Sequence, residues 1–211
     1  RGQSDNVAII SAAQAYNKSQ VLNSDLKEQV KSILQNEIKA RNIEYATLVD
    51  KDARIIVNAN ANRTGEIFNP NNLVSEVFKS DEQIKTSEIV SWQELQKESP
   101  PLPEGLKEQS ALIRYTVTCI KDPNNGEVLG ALVSGDIVNS KLPIVNQSVS
   151  LKYGDYSAVY LLSNPNRLSL ATSALNISEK SQTALESSSK NEYLYNISLP
   201  ENTLFKKALT A

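Results

Sequence analysis

The feature that most limits what this chain can fold into is the turn Asp122-Pro123-Asn124-Asn125-Gly126, set between the β-rich runs 112–120 and 128–138. Asn and Gly accept positive φ at little cost and proline fixes its own φ, so the two runs fold back on each other as an antiparallel hairpin. The second run is apolar over most of its length and closes on Asp136. A carboxylate in that position is either a strand-end or cap residue, or a group set at the rim of a sheet to meet a ligand.

The rest of the chain supplies the partners of that hairpin. Between residues 5 and 41 there is no proline, and Leu26, Val30, Ile33, Leu34 and Ile38 recur at i, i+4, i+7, i+8 and i+12, the stripe of an amphipathic helix. Asn23-Ser24-Asp25, with Glu28 beyond, offers N-cap chemistry in mid-run. The segment is therefore two packed helices or one long N-terminal helix of about 50 Å or more, at about 1.5 Å per residue. Runs 45–50 and 54–58 about Lys51-Asp52-Ala53 form another hairpin, with Asp50 and Asp52 as turn residues and Tyr45 packing at its head. A loop over 58–70, a helix over 71–78, a strand over 84–90, a helical or turn-like stretch over 92–98 and a proline-rich loop over 100–105 follow. Strands paired as neighbours, with helices kept apart from them, predict an α+β domain: an antiparallel sheet with helices against its faces.

After Asp136 the pattern partly restarts, with a helix over 137–149 interrupted by Pro143, a hairpin over 156–162 and 167–173, a polar helix over 178–189 and a strand over 192–198. The second hairpin has the shape of the first, which reads as a weak, incomplete internal repeat. The division is a long N-terminal helix over 1–41, a first module over 42–138 and a partial second module over 139–211.

Composition excludes several functions. With 211 residues, 40% hydrophobic and 22% charged, the chain matches an ordinary globular protein. Its net charge of −2 leaves no basic footprint for nucleic acid. It contains no histidine and one cysteine, Cys119, so a catalytic histidine, a His/Cys metal cluster, a Cys-His dyad and an internal disulfide are all excluded. No cofactor or metal is expected, and no spaced pair of carboxylates or lysines suggests an enzyme. Without an initiator methionine, and with a helix-like run at its end, the sequence reads as a fragment.

A long N-terminal helix followed by "YATLVDKDARIIVNAN" and "SALIRYTVTCIKDPNNGEVLGALVSGDIV" resembles the double-Cache sensor domain, a PAS-like extracytoplasmic fold of bacterial chemoreceptors and sensor histidine kinases. "GEVLGALVSGDIVNSKLPIV" is similar to cyanobacterial versions. The resemblance implies a PAS-like sheet, a second, membrane-proximal module, a periplasmic location in a membrane-anchored receptor, and a ligand between the sheet and its covering loops. It places Asp136, Arg114, Tyr115 and Trp92 at that ligand: aspartate for an ammonium, arginine for a carboxylate, aromatic rings to close the pocket. An amino acid or organic acid is the implied partner. Arg114 and Tyr115 are adjacent on a strand and point to opposite faces. The competing reading is a dimerisation or relay module, forming a homodimer or sensing through a periplasmic protein, with the stripe from Leu26 to Ile38 as its contact surface.

Overall fold

The computed structural model describes residues 3–80, 82–102, 110–141, 143–145, 156–164 and 167–175. The chain forms two compact units, the first made of residues 1–102 and 108–137 and the second of residues 103–107 and 138–211.

The first unit opens with two helices, α1 (Val7–Ser19) and α2 (Ser24–Arg41). Of the two sequence expectations, the divided helix is the one that forms, and its cause is local. Gln20 takes the left-handed conformation at φ 55° and ends α1. Asn23 then caps α2, its side-chain oxygen accepting from Leu26 N at 2.8 Å. Among the described residues no helix is long and apolar enough to cross a membrane.

The strands β1 (Tyr45–Asp50), β2 (Ile55–Asn58), β3 (Ile84–Val90), β4 (Ala111–Lys121) and β5 (Val128–Ile137) form one sheet in the order β2-β1-β5-β4-β3, antiparallel throughout. Both expected hairpins form. Asp50 is a turn residue: its Oδ1 accepts from the amides of Asp52 and Arg54, each at 2.8 Å, while Ala53 takes φ 59°. At the β4–β5 turn Gly126 takes φ 74°, and Asp122 Oδ1 accepts from Asn124 N at 2.8 Å. The architecture is α+β, with the PAS-like antiparallel sheet that the resemblance implied.

Side chains alternate across this sheet, and each face has its own cover. On one face α1 and α2 lie over β1, β2 and β5: Ile9, Ala12, Ala13 and Tyr16 of α1 and Val30, Leu34 and Ile38 of α2 share one core with Ala46, Leu48 and Leu132. This corrects the partner-surface expectation. Val30 and Leu34 are fully buried against the chain's own sheet, so the apolar stripe of α2 is already occupied. Two polar contacts fix α1 to the β4–β5 hairpin: Gln14 Nε2 donates to Asp122 Oδ2 at 2.9 Å, and Asn17 Nδ2 to Leu129 O at 2.8 Å. The opposite face is covered by α3 (Leu73–Ser80), which buries Leu73, Val74 and Val77 and packs against β4 and β5. The short helix α4 (Trp92–Lys97), capped by Ser91, links β3 to the segment before β4.

The second unit contains the antiparallel hairpin β6 (Tyr156–Asn164) and β7 (Arg167–Leu175), with Leu161 and Ala171 buried. The expected helix over 178–189 and strand over 192–198 lie outside the described residues, as does part of the expected helix over 137–149.

Candidate functional site

The site is built on cross-strand register. Tyr45 of β1 pairs with Gly135 of β5, and Gly135 with Tyr115 of β4, so the three share one face in one row. With no side chain between them, the two tyrosines meet over the glycine: Tyr45 Oη donates to Tyr115 Oη at 2.9 Å, and the rings meet edge to face at 6.3 Å and 70°. Burial is the main reason both phenols hold their protons strongly, Tyr45 well above the ordinary range and Tyr115 pushed up to about 12. Both are neutral hydroxyls at physiological pH, able to donate or accept.

Beside this pair stands a buried polar cluster. Glu98, just past α4, accepts at Oε2 from Thr47 Oγ1 (3.0 Å) and Asn58 Nδ2 (2.6 Å), and Asn58 Nδ2 also reaches Thr47 Oγ1 at 2.9 Å. Its Oε1 is taken by the Arg63 guanidinium. Arg63 also donates to Glu66 Oε2, from Nε at 3.1 Å and Nη2 at 2.9 Å, and lies 5.7 Å above the Phe68 ring. One guanidinium thus holds a buried and an exposed carboxylate together. Burial raises the pKa of Glu98, opposed by Arg63 and by the hydrogen bonds from Asn58 and Thr47.

Between these groups lies a cavity of about 400 Å³, lined by Tyr45 and Tyr115 from the sheet, by Arg63, Glu66 and Phe68 from the loop after β2, and by Glu88, Glu94, Lys97 and Glu98 from β3 and the α4 region. A second, larger cavity of about 650 Å³ lies on the other face, lined by Glu37 and Arg41 of α2 with Lys85, Arg114, Ser134 and Asp136 of the sheet.

Of the four residues expected at the ligand, Arg114, Tyr115 and Asp136 all border the second cavity, and Tyr115 also lines the cavity beneath the loops. Arg114 and Asp136 are cross-strand partners, with Arg114 Nε donating to Asp136 Oδ2 at 2.8 Å. Alternation along β4 turns the Arg114 and Tyr115 side chains to opposite faces of the sheet. Trp92 is half-buried at the first turn of α4 and lines neither cavity. Sequence reasoning missed Thr47, Asn58, Arg63 and Glu98, and assigned Tyr45 to packing. The bonds Glu98 makes to Thr47, Asn58 and Arg63 span 51, 40 and 35 residues, distances at which no motif spacing operates.

No protein-family model and no curated protein matches the chain. Among solved structures it is similar to the sensor domain of the Vibrio cholerae histidine kinase DctB, with 14% identity, a TM-score of 0.47, and 64% of this chain and 44% of that one covered. It is similar to the ligand-binding domain of the Campylobacter jejuni chemoreceptor Tlp3 in complex with 4-methylisoleucine, at 12% identity and TM-score 0.43, covering 73% of this chain and 55% of that one. The periplasmic domain of Vibrio cholerae LuxQ aligns at 16% identity and TM-score 0.46 over 85% of this chain and 72% of that one. The chain spans less than half of the DctB domain and little more than half of the Tlp3 domain. The expected cyanobacterial origin finds no support in these structures. What the chain is similar to, over part of its length and at low identity, is a histidine kinase sensor domain, a chemoreceptor ligand-binding domain and a periplasmic domain.

Proposed function

We propose that this chain is the extracytoplasmic, ligand-sensing part of a membrane-anchored signalling receptor, and that it takes a small molecule in the cavity above the Tyr45–Tyr115 pair. The observation that carries the proposal is the cavity itself. It lies between a rigid sheet face and a loop, with two phenols at its floor and a guanidinium shared by Glu98 and Glu66 in its wall. Concave sites with a few convergent polar groups are where small ligands bind. An amino acid or an organic acid is the class that the sequence resemblance implies.

Binding there bears directly on the loop after β2, through Arg63 and Phe68, and on β1 and β2, through Glu98 with Thr47 and Asn58. α1 and α2 pack on the same two strands. A ligand that draws the loop toward the sheet would favour one arrangement of this layer over another, by as much as its affinity differs between them.

Thermal-shift and calorimetric screening of amino acids, organic acids and purines tests the proposal. A true ligand at 100 times its Kd adds about 2.7 kcal/mol of stability, and Tyr115→Phe should diminish that gain. A panel in which no compound stabilises the chain would sink direct sensing.

A further inference from the structure

We propose that the cavity over Tyr45 and Tyr115 selects a small organic cation, an amine of net positive charge, over a small anion; this rests on the cavity being a ligand site at all. Four carboxylates line it, Glu66, Glu88, Glu94 and Glu98, against two cations, Arg63 and Lys97. Both cations already have carboxylate partners. Arg63 is held by Glu98 and Glu66 together, and Lys97 Nζ donates to Glu94 Oε1 at 2.6 Å. Glu88, by contrast, is bonded to the amide of Asn71, a neutral partner that leaves its charge uncompensated.

The potential at the floor has the same sign. At the Tyr115 hydroxyl, Glu98, Glu88 and Glu94 each add to the hold on the proton. A positive group placed above that oxygen meets a field already arranged for it. Aromatic faces in this cavity also hold cations, as the Arg63 guanidinium does over Phe68 at 5.7 Å. An organic acid drawn to Arg63 would compete there with Glu98 and Glu66, which the guanidinium already serves.

The test is calorimetric titration of the whole chain with a matched four-carbon pair, 1,4-diaminobutane and succinate, alongside tetramethylammonium and the amino-acid and purine panel. The diamine is expected to bind while succinate does not. Its Kd should rise about fivefold in Glu88→Gln, the scale of one partly exposed charge, and rise further with added salt. Tyr115→Phe should weaken it as well. Diamine binding that is unaffected by both substitutions would be general surface attraction and would overturn the proposal. Succinate or a neutral compound binding at least as tightly, and weakened by Tyr115→Phe, would overturn the cation preference while leaving the cavity as a ligand site. No binding by any compound would overturn both readings.

Discussion

The ring of Tyr45 occupies the space that a side chain at Gly135 would fill: a Cβ built there would stand 2.1 Å from Tyr45 Cζ. The glycine is therefore what permits the Tyr45–Tyr115 contact, and the floor of the cavity depends on a side chain that is missing.

Gly135→Ala is expected to push Tyr45 off its rotamer and break its bond to Tyr115. Overpacking of this kind costs about 1–3 kcal/mol, and the lost bond about 1 kcal/mol more. Urea denaturation measures the sum, and a variant as stable as the parent would show that the row is loosely packed.

Tyr45→Phe and Tyr115→Phe should each destabilise by about 1 kcal/mol, because each leaves its buried partner one hydrogen bond short. The double variant should cost clearly less than the two together. A double-mutant cycle reads this coupling, and strict additivity would contradict a shared bond.

Arg63→Ala leaves Glu98 buried without its counter-charge and should cost about 3 kcal/mol, whereas Arg63→Ala combined with Glu98→Gln should recover much of that loss. If the double variant is no more stable than Arg63→Ala, the ion pair is not the origin of the effect.

Glu98 also gives stability a pH dependence with a defined sign. Its folded pKa is raised, chiefly by burial, above the ordinary value of 4.5. The folded state therefore holds that proton more tightly than the unfolded chain does. The stability it contributes is complete below about pH 4.5 and is lost as pH rises through the folded value. Glu98→Gln should flatten this part of the profile above about pH 4.5, as followed by denaturant midpoints against pH. An unchanged profile would assign the slope to other carboxylates.

Asp136 and Arg114 face the second cavity, so Asp136→Asn should leave any ligand-induced stabilisation through the first one intact. Arg114 is 53% exposed, and the pair it forms is worth less than about 1 kcal/mol in that setting. Loss of the ligand response in Asp136→Asn with the fold retained would move the binding site to the helix-covered face.

The parts of the fold that were legible in the sequence are those decided within a few residues. The turn at Gly126, the Asx turn at Asp50, the Asn23 cap and the alternation of Arg114 with Tyr115 depend on local backbone chemistry, and each is where that chemistry puts it. The candidate site was legible only at Tyr115. Glu98 carries no mark in its neighbours; it becomes a buried carboxylate because tertiary folding lays it against Thr47 and Asn58. Tyr45 read as packing because a tyrosine at the head of a strand usually packs, and only its register with Gly135 gives its hydroxyl a second role. The apolar stripe of α2 was legible as a stripe, but the surface that meets it was not.

The alternation along β5 has a consequence for how such a chain can diversify. From residue 131 to 136 the strand turns Ala131, Val133 and Gly135 toward the cavity side and Leu132, Ser134 and Asp136 toward the helices. Two interleaved alphabets are written on one strand, and a substitution in one leaves the letters of the other unchanged. A lineage can thus alter the sheet face beneath the two tyrosines one odd-numbered residue at a time, while the even-numbered residues keep the helix layer in register.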